Sequence, residues 1–371
     1  MAPETLSREA LNRATLARQL LLARVSTPVV DVVEHLVGLQ AQEPHDPYLA
    51  LWSRLERFDP EVLSGALAGR AVVRTILMRA TIHLVSGRDC LAIRPLVQPV
   101  MDAELARHPE FGPHLRGVDL APVLAVATVL LAEEPRTGTQ LRAALAERFP
   151  DLHAPALAYA CRNRLTLVQV PPRGLWGRGG AVRTTTAAHW LGIDPAPTTT
   201  IEALVLRYLG AFGPASVADV AAWSRLTALG EVVERLRPQL RTFRDERGRE
   251  LFDLPDAPRP DPDTPAPVRF LPQYDNVLLS HADRSRFVDP AIRGVLGGAP
   301  QVLGAVLHDG RGAATWRLRS DPGGGPATML VDHLPGLRAG AKRAILAEGR
   351  RVQRFRAGSG PVGDVELVPT A

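Results

Sequence analysis

The feature that most limits what this chain can fold into is a supersecondary order that occurs three times. Helical segments with an apolar stripe lead, in each copy, into short runs rich in branched residues, as in a helix-helix-helix-hairpin unit. In the first copy the spacing predicts helices over residues 7–24 and 28–40, then Tyr48 to Leu55, then a short one after Pro60. Val72 to Met78 and Ala80 to Val85 follow as a hairpin. The second copy reads Val123 to Glu134, Thr137 to Phe149 and Ala154 to Arg164 as helices. Leu165 to Val170 is its strand, and Arg178 to Arg183 a basic tip. After a linker at Pro195 to Thr200, the third copy runs through Ile201 to Phe212, Ser216 to Arg225 and Leu229 to Leu240. Its hairpin is Arg241 to Gly248 with Glu250 to Leu254, and Gly213-Pro214 before Ser216 is its helix-turn-helix entry. Recurrence of one order weighs more than any single copy, because each copy carries its own chance of being misread.

Beyond the proline-rich stretch Pro255 to Pro267 the pattern turns to β. Strands are expected at Val268 to Leu271, Val277 to Leu279, Gln301 to Leu307, Ala313 to Leu318 and Ala327 to Asp332. Asp309-Gly310 is a strong hairpin-turn signal between two of them. A helix over Gly340 to Gly349 and a strand over Val352 to Phe355 complete the chain. The expected class is α+β and helix-rich, with three tandem winged-helix (helix-turn-helix) domains over residues 1–117, 118–197 and 198–266. A β-rich C-terminal domain with a hairpin takes 267–371.

Composition removes several function classes. No run of about 18 apolar residues occurs, and the first residues lack the layout of a signal peptide, so a cytoplasmic, nucleoid-associated protein that neither spans nor binds a membrane is expected. Cys90 and Cys161 stand alone, which excludes a disulfide framework and a cysteine-rich zinc site. A net charge of +5 favours a polyanionic partner. All the basic residues but Lys342 are arginine, so Schiff-base chemistry has a single candidate amine and no phosphate-loop lysine exists. No histidine pairing has metal-ligand spacing (His281 and Asp283 alone are weak), and no metal or other cofactor is expected. Asp253 and Asp256, in the proline-rich stretch, read as solvated.

Four stretches could carry chemistry. Gln40 and Gln42 end the second helix before Pro44, whose predecessor is pushed out of helical geometry. Residues two apart share a face only in extended chain, so the pair could serve one ligand only where that helix comes undone; it also reads as two solvated glutamines. Arg79, Thr81 and His83 share a strand face, either a polar strip toward phosphate or substrate or an exposed sheet face. The dense polar stretch Leu271 to Arg284 suggests a structural network, with Asn276, Ser280 and His281 as further candidates. The tip from His308 to Arg311 suits a DNA groove or a solvated turn. Arg162, Arg164, Arg178 and Arg183 are candidate phosphate contacts, on the third helix and wing of the second copy.

Together these elements resemble a known group. Three tandem winged-helix units, a β-rich C-terminal domain and Gln-x-Gln after the second helix look like the AlkZ-type DNA glycosylases of the wider YcaQ-like family. The resemblance rests on Gly38 to Gln42, Arg79 to Leu84, Tyr274 to Arg284 and Gly310 to Arg317, and covers essentially the whole chain. YcaQ-like members carry Asp at the second motif position, where this chain has Gln42. The resemblance implies a glycosylase acting, as a monomer, on double-stranded DNA with alkylated or crosslinked purines, including azinomycin-type interstrand crosslinks, in repair and antibiotic self-resistance. It implies Gln40 and Gln42 as the catalytic pair orienting the attacking water. With one lysine, a monofunctional enzyme that leaves an abasic site is expected. The alternative is a non-catalytic winged-helix DNA-binding protein or transcriptional regulator.

Overall fold

The computed structural model describes residues 3–193, 198–288 and 303–370. Its strands are β1 Glu4–Leu6, β2 Leu39–Gln40, β3 Val72–Ile76, β4 Ile82–Ser86, β5 Arg136–Thr137, β6 Leu167–Gln169, β7 Arg183–Thr186, β8 Arg241–Asp245, β9 Glu250–Asp253, β10 Arg269–Leu271, β11 Gly304–His308, β12 Arg311–Arg319, β13 Thr328–His333 and β14 Val365–Pro369. They form three sheets among many helices, a mixed α+β architecture. No described helix is long and apolar enough to cross a membrane.

The first two copies of the recurring order share one six-stranded sheet, β2-β4-β3-β6-β7-β5. They join where β3 pairs with β6, Arg74 opposite Gln169 and Thr75 opposite Val168. Alternation along the strands decides which neighbour each face meets. Val73, Val85 and Val168 pack with Tyr208, Phe212 and Trp223 of the third copy. On the opposite face Val72 and Leu84 meet Val32, Leu36 and Leu51, while Leu167 meets Leu141 and Leu157. The third copy's hairpin takes β1 as a parallel partner of β8. The C-terminal strands form a five-stranded sheet, β10-β11-β12-β13-β14, whose last pair is parallel. The helix Ala339–Ala357 makes the crossover that a parallel pair requires and buries Ile345 and Val352 against Phe270, Val306 and Val331.

Several elements differ from expectation, each for a local reason. The first helix stops at Arg18, and the second is Val29–His35 rather than residues 28–40. Val37 and Gly38 then take positive φ and the chain turns into β2. A Cβ on Gly38 would lie 2.7 Å from Val85 Cγ1, so only glycine fits this turn. Val277–Leu279 is helical, because the Asp275 carboxylate caps Val277 N–H and starts the turn Asn276–Leu279. Val352–Phe355 continues the helix Ala339–Ala357, since Val352 falls on its apolar stripe with Ile345. Gly87–Leu96 and Gln98–Arg107 are helices without a counterpart in the sequence reading. The linker at Pro195 and the start of the strand expected at Gln301 fall partly outside the described residues.

Buried ion pairs tie these parts together. Arg18 makes two bonds to Asp253, at 2.5 and 2.8 Å, and both side chains are fully buried. Asp253 also accepts from Arg259. Asp253 is therefore an interior anchor rather than the solvated linker residue expected. Arg54 grips Asp275 with two 2.8 Å bonds, again with both side chains fully buried.

Candidate active site

The turn at Gly38 delivers Gln40 to the edge of the large sheet. Asn276 holds that turn, donating through Nδ2 to Gly38 O at 2.8 Å. Gln40 lies opposite His83 in the β2–β4 register, and Ala41 N–H continues the ladder to Ile82 O at 2.8 Å. The segment is thus extended rather than a fraying helix end, the geometry in which residues 40 and 42 share a side. Gln40 is buried at 7% exposure, whereas Gln42 is exposed.

Gln40 sits in a compact polar group. Arg79 Nη2 donates to its Oε1 at 2.7 Å, and Arg79 Nη1 donates to Trp223 O at 2.7 Å. Arg79 Nη2 also lies 3.4 Å from His83 Nε2. Arg79 reaches this position from a short 3-10 turn, Met78–Ala80, in which it adopts φ 57°. Burial, with Arg225 and Arg284 nearby, lowers its pKa to about 10. Burial and the Arg79 charge push His83 down to about 3, so its ring is neutral at physiological pH. Gln42 Oε1 accepts the Ile82 N–H in a long 3.4 Å contact. Between the glutamines, Ala41 O accepts from Arg74 Nη2 at 2.8 Å.

Arg74, bonded to the carbonyl between the glutamines, belongs to this site and is not among the sequence candidates; nor is Asp46, a few residues beyond Gln42. Arg74 is fully buried, and its Nε and Nη1 have no hydrogen-bond partner. Its signal was a charge in the middle of the branched strand Val-Val-Arg-Thr-Ile. Asp46, at the start of the helix Asp46–Trp52, has a buried Oδ2 without a partner. Burial, helped by the Glu43 charge, raises its pKa to about 7. A cavity of about 400 Å³ opens on the face of the sheet that carries Arg74. Ile82, Phe111, Tyr159, Arg162 and Gln169 also line it. It adjoins the glutamine edge through Ile82 and Arg74.

The remaining candidates are dispersed. Thr81 donates to Met78 O and braces the turn that bears Arg79. Asn276, Ser280 and His281 are buried and bond inward, to Gly38 O, Asn276 O and Phe212 O respectively. All three side chains thus tie parts of the fold together. Arg162 lies over the Tyr159 ring, and Arg164 pairs with Asp102 at 3.3 Å. Arg178 is exposed, and Arg183, also exposed, donates to Pro135 O and Gln140 Oε1. The hairpin tip is docked rather than free. Asn12 Nδ2 donates to Gly310 O at 2.8 Å, Arg13 pairs with Asp309, and Arg311 pairs with Glu9. His308 closes this hairpin opposite Arg311. Among the described residues no group of three or more His, Cys, Asp or Glu could hold a metal ion.

Comparison with known proteins agrees with this architecture. A family model described as DNA glycosylase AlkZ-like matches residues 33–355, a span that includes both glutamines. Among solved structures, Streptomyces sahachiroi DNA glycosylase AlkZ is similar in fold, with a TM-score of 0.79 at 21% sequence identity, covering 98% of this chain and 100% of that one. No curated protein matches the chain significantly.

Proposed function

The chain belongs to the AlkZ-like DNA glycosylase family, and from that premise we propose that it hydrolyses the N-glycosidic bond of cationic N7-alkylated purines in double-stranded DNA. Azinomycin-type interstrand crosslinks are the proposed natural lesions, and self-resistance the proposed role. The observation that carries this reading is that no carboxylate is bonded to either glutamine among the described residues. Gln40 Oε1 accepts from the Arg79 guanidinium, which in turn faces the neutral His83 ring, and Gln42 meets a backbone N–H. Glycosidic hydrolysis of an ordinary base needs a proton for the leaving group and a carboxylate near the sugar. A purine alkylated at N7 already carries its positive charge. The C1′–N9 electron pair passes into the ring and neutralises it, water oxygen bonds to C1′, and the water's proton leaves to solvent. Two carboxamides that hold one water suffice for that step.

The product is an unbroken strand with an abasic site. Lys342, the one lysine of the chain, lies in the first turns of the helix Ala339–Ala357, which packs on the C-terminal sheet, and this supports a monofunctional enzyme. Incubation with N7-methylguanine DNA, then alkaline cleavage at abasic sites, tests the activity. Wild type should release the base, while Gln40→Ala and Gln42→Ala each lose about 10²-fold or more in single-turnover rate. Efficient release of uracil, or a covalent adduct trapped by borohydride, contradicts the reading. No release by wild type would leave a binding protein.

A further inference from the structure

The two glutamines offer opposite ends of their amides, and the neighbours of Gln40 show why. A guanidinium has only donors. Arg79 Nη2 lies 2.7 Å from one end of the Gln40 amide, so that end is the carbonyl and the NH2 group is the other. His83 reinforces the assignment. Its Nδ1 lies 2.9 Å from Thr81 O, which can only accept, so Nδ1 carries the proton. The lone pair on Nε2 is then free to face Arg79 Nη2. Trp223 O takes a third N–H of the same guanidinium. Arg79 is thus clamped by three neutral acceptors, and the Gln40 carbonyl is one of them.

A carbonyl polarised by a guanidinium is a poor acceptor for a further proton. What Gln40 retains for a ligand is its N–H donors. Gln42 is the reverse case. Its carbonyl meets the Ile82 N–H at 3.4 Å, a long contact at an exposed edge, and a carbonyl oxygen has a second lone pair. We propose that Arg79 is a positioning residue that holds the Gln40 carbonyl inward, making Gln40 the donor and Gln42 the acceptor to the attacking water. Gln40 N–H binds one lone pair of the water, Gln42 Oε1 takes an O–H, and the remaining lone pair attacks C1′. The proton passes along the Gln42 contact to solvent as the purine leaves neutral. This division rests on the reading of the pair as catalytic.

Near-isosteric variants separate the roles. Gln42→Glu keeps an acceptor and should retain wild-type single-turnover rate on N7-methylguanine DNA within about threefold, with a new loss of rate below about pH 4–5 as the carboxylate protonates. Gln40→Glu still satisfies Arg79 but has no N–H, and should lose about 10²-fold. Arg79→Met frees the amide to rotate and should slow the single-turnover step at saturating enzyme by about tenfold or more, with Arg79→Lys recovering part of it. Because the Arg79 guanidinium is already engaged by Gln40, His83 and Trp223, Kd for undamaged duplex and its salt slope should stay unchanged. If Arg79→Met instead raises Kd and lowers the salt slope by about one, with the rate intact, Arg79 is a phosphate contact and the proposal falls. Equal losses in both Glu variants overturn the division while leaving the pair standing. Wild-type rates in Gln40→Ala and Gln42→Ala overturn the pair itself.

Discussion

Arginines tied into the fold serve this molecule in two ways. Arg18 and Arg54 each meet a buried carboxylate through two bonds, and the pairs join distant parts of the chain. Arg74 and Arg79, at the glutamine edge, donate to backbone and neutral side chains. A saturated pair in a dry interior is expensive to break, because removing one partner strands a charge. An arginine with neutral acceptors keeps its positive field, and its pKa falls; Arg74 and Arg79 are both lowered to about 10. The first kind fixes the frame; the second polarises what lies beside it, here the carbonyls of Ala41 and Gln40.

The largest expected effect tests the frame. Asp275→Asn leaves Arg54 buried with half its partner and should cost about 3–5 kcal/mol of stability, read as a lower midpoint in denaturant. That substitution also loosens the turn in which Asn276 holds Gly38, so the glutamine edge should become more protease-sensitive. Asp46→Asn has the next largest effect and depends on pH. The Asp46 carboxyl has an ordinary value of 3.8 and is raised to about 7 in the fold. Between these values the native state holds a proton that the unfolded chain has released, so this group lowers stability as pH rises from about 4 to 7. The variant escapes that loss. Relative to wild type it should gain about 2 kcal/mol between pH 4 and 8, a discounted figure for a partly exposed group. A constant difference across that range would mean that Asp46 titrates normally.

Much of this organisation is legible in the sequence, and what is hidden has physical causes. Helical period, proline starts and hydroxyl caps mark most helices, as Ser216 and Thr137 do with reciprocal caps. The Gln40–Gln42 pair is visible in the sequence, but helical spacing carries it to the end of the second helix, because Leu39 continues the apolar spacing beyond His35. Gly38 was the available clue to the turn. Val277-Leu278-Leu279 is too short for periodicity to decide, and its cap, Asp275, also serves Arg54. The docking of the hairpin tip on Asn12 and Arg13 joins residues about 300 apart, which no local pattern encodes. The sequence shows Arg79 as a polar residue near His83. That it binds Gln40 follows only from its φ of 57°, which swings it out of the strand on which it was placed.

The smallest expected stability change makes the contrast sharpest. Arg74 is as buried as Arg54, yet its one hydrogen bond goes to Ala41 O, and two of its nitrogens have no partner. Arg74→Met removes a costly desolvated cation and one hydrogen bond while keeping most of the side-chain volume. These contributions oppose each other, so stability should change by no more than about 1 kcal/mol, against about 3–5 kcal/mol for breaking Arg54–Asp275. Activity should respond the other way. Without the Arg74 bond the carbonyl between the two glutamines is released, and single-turnover excision should fall while the folded state persists. A loss of stability as large as that of Asp275→Asn would place Arg74 with the frame and erase the distinction between the two kinds of arginine.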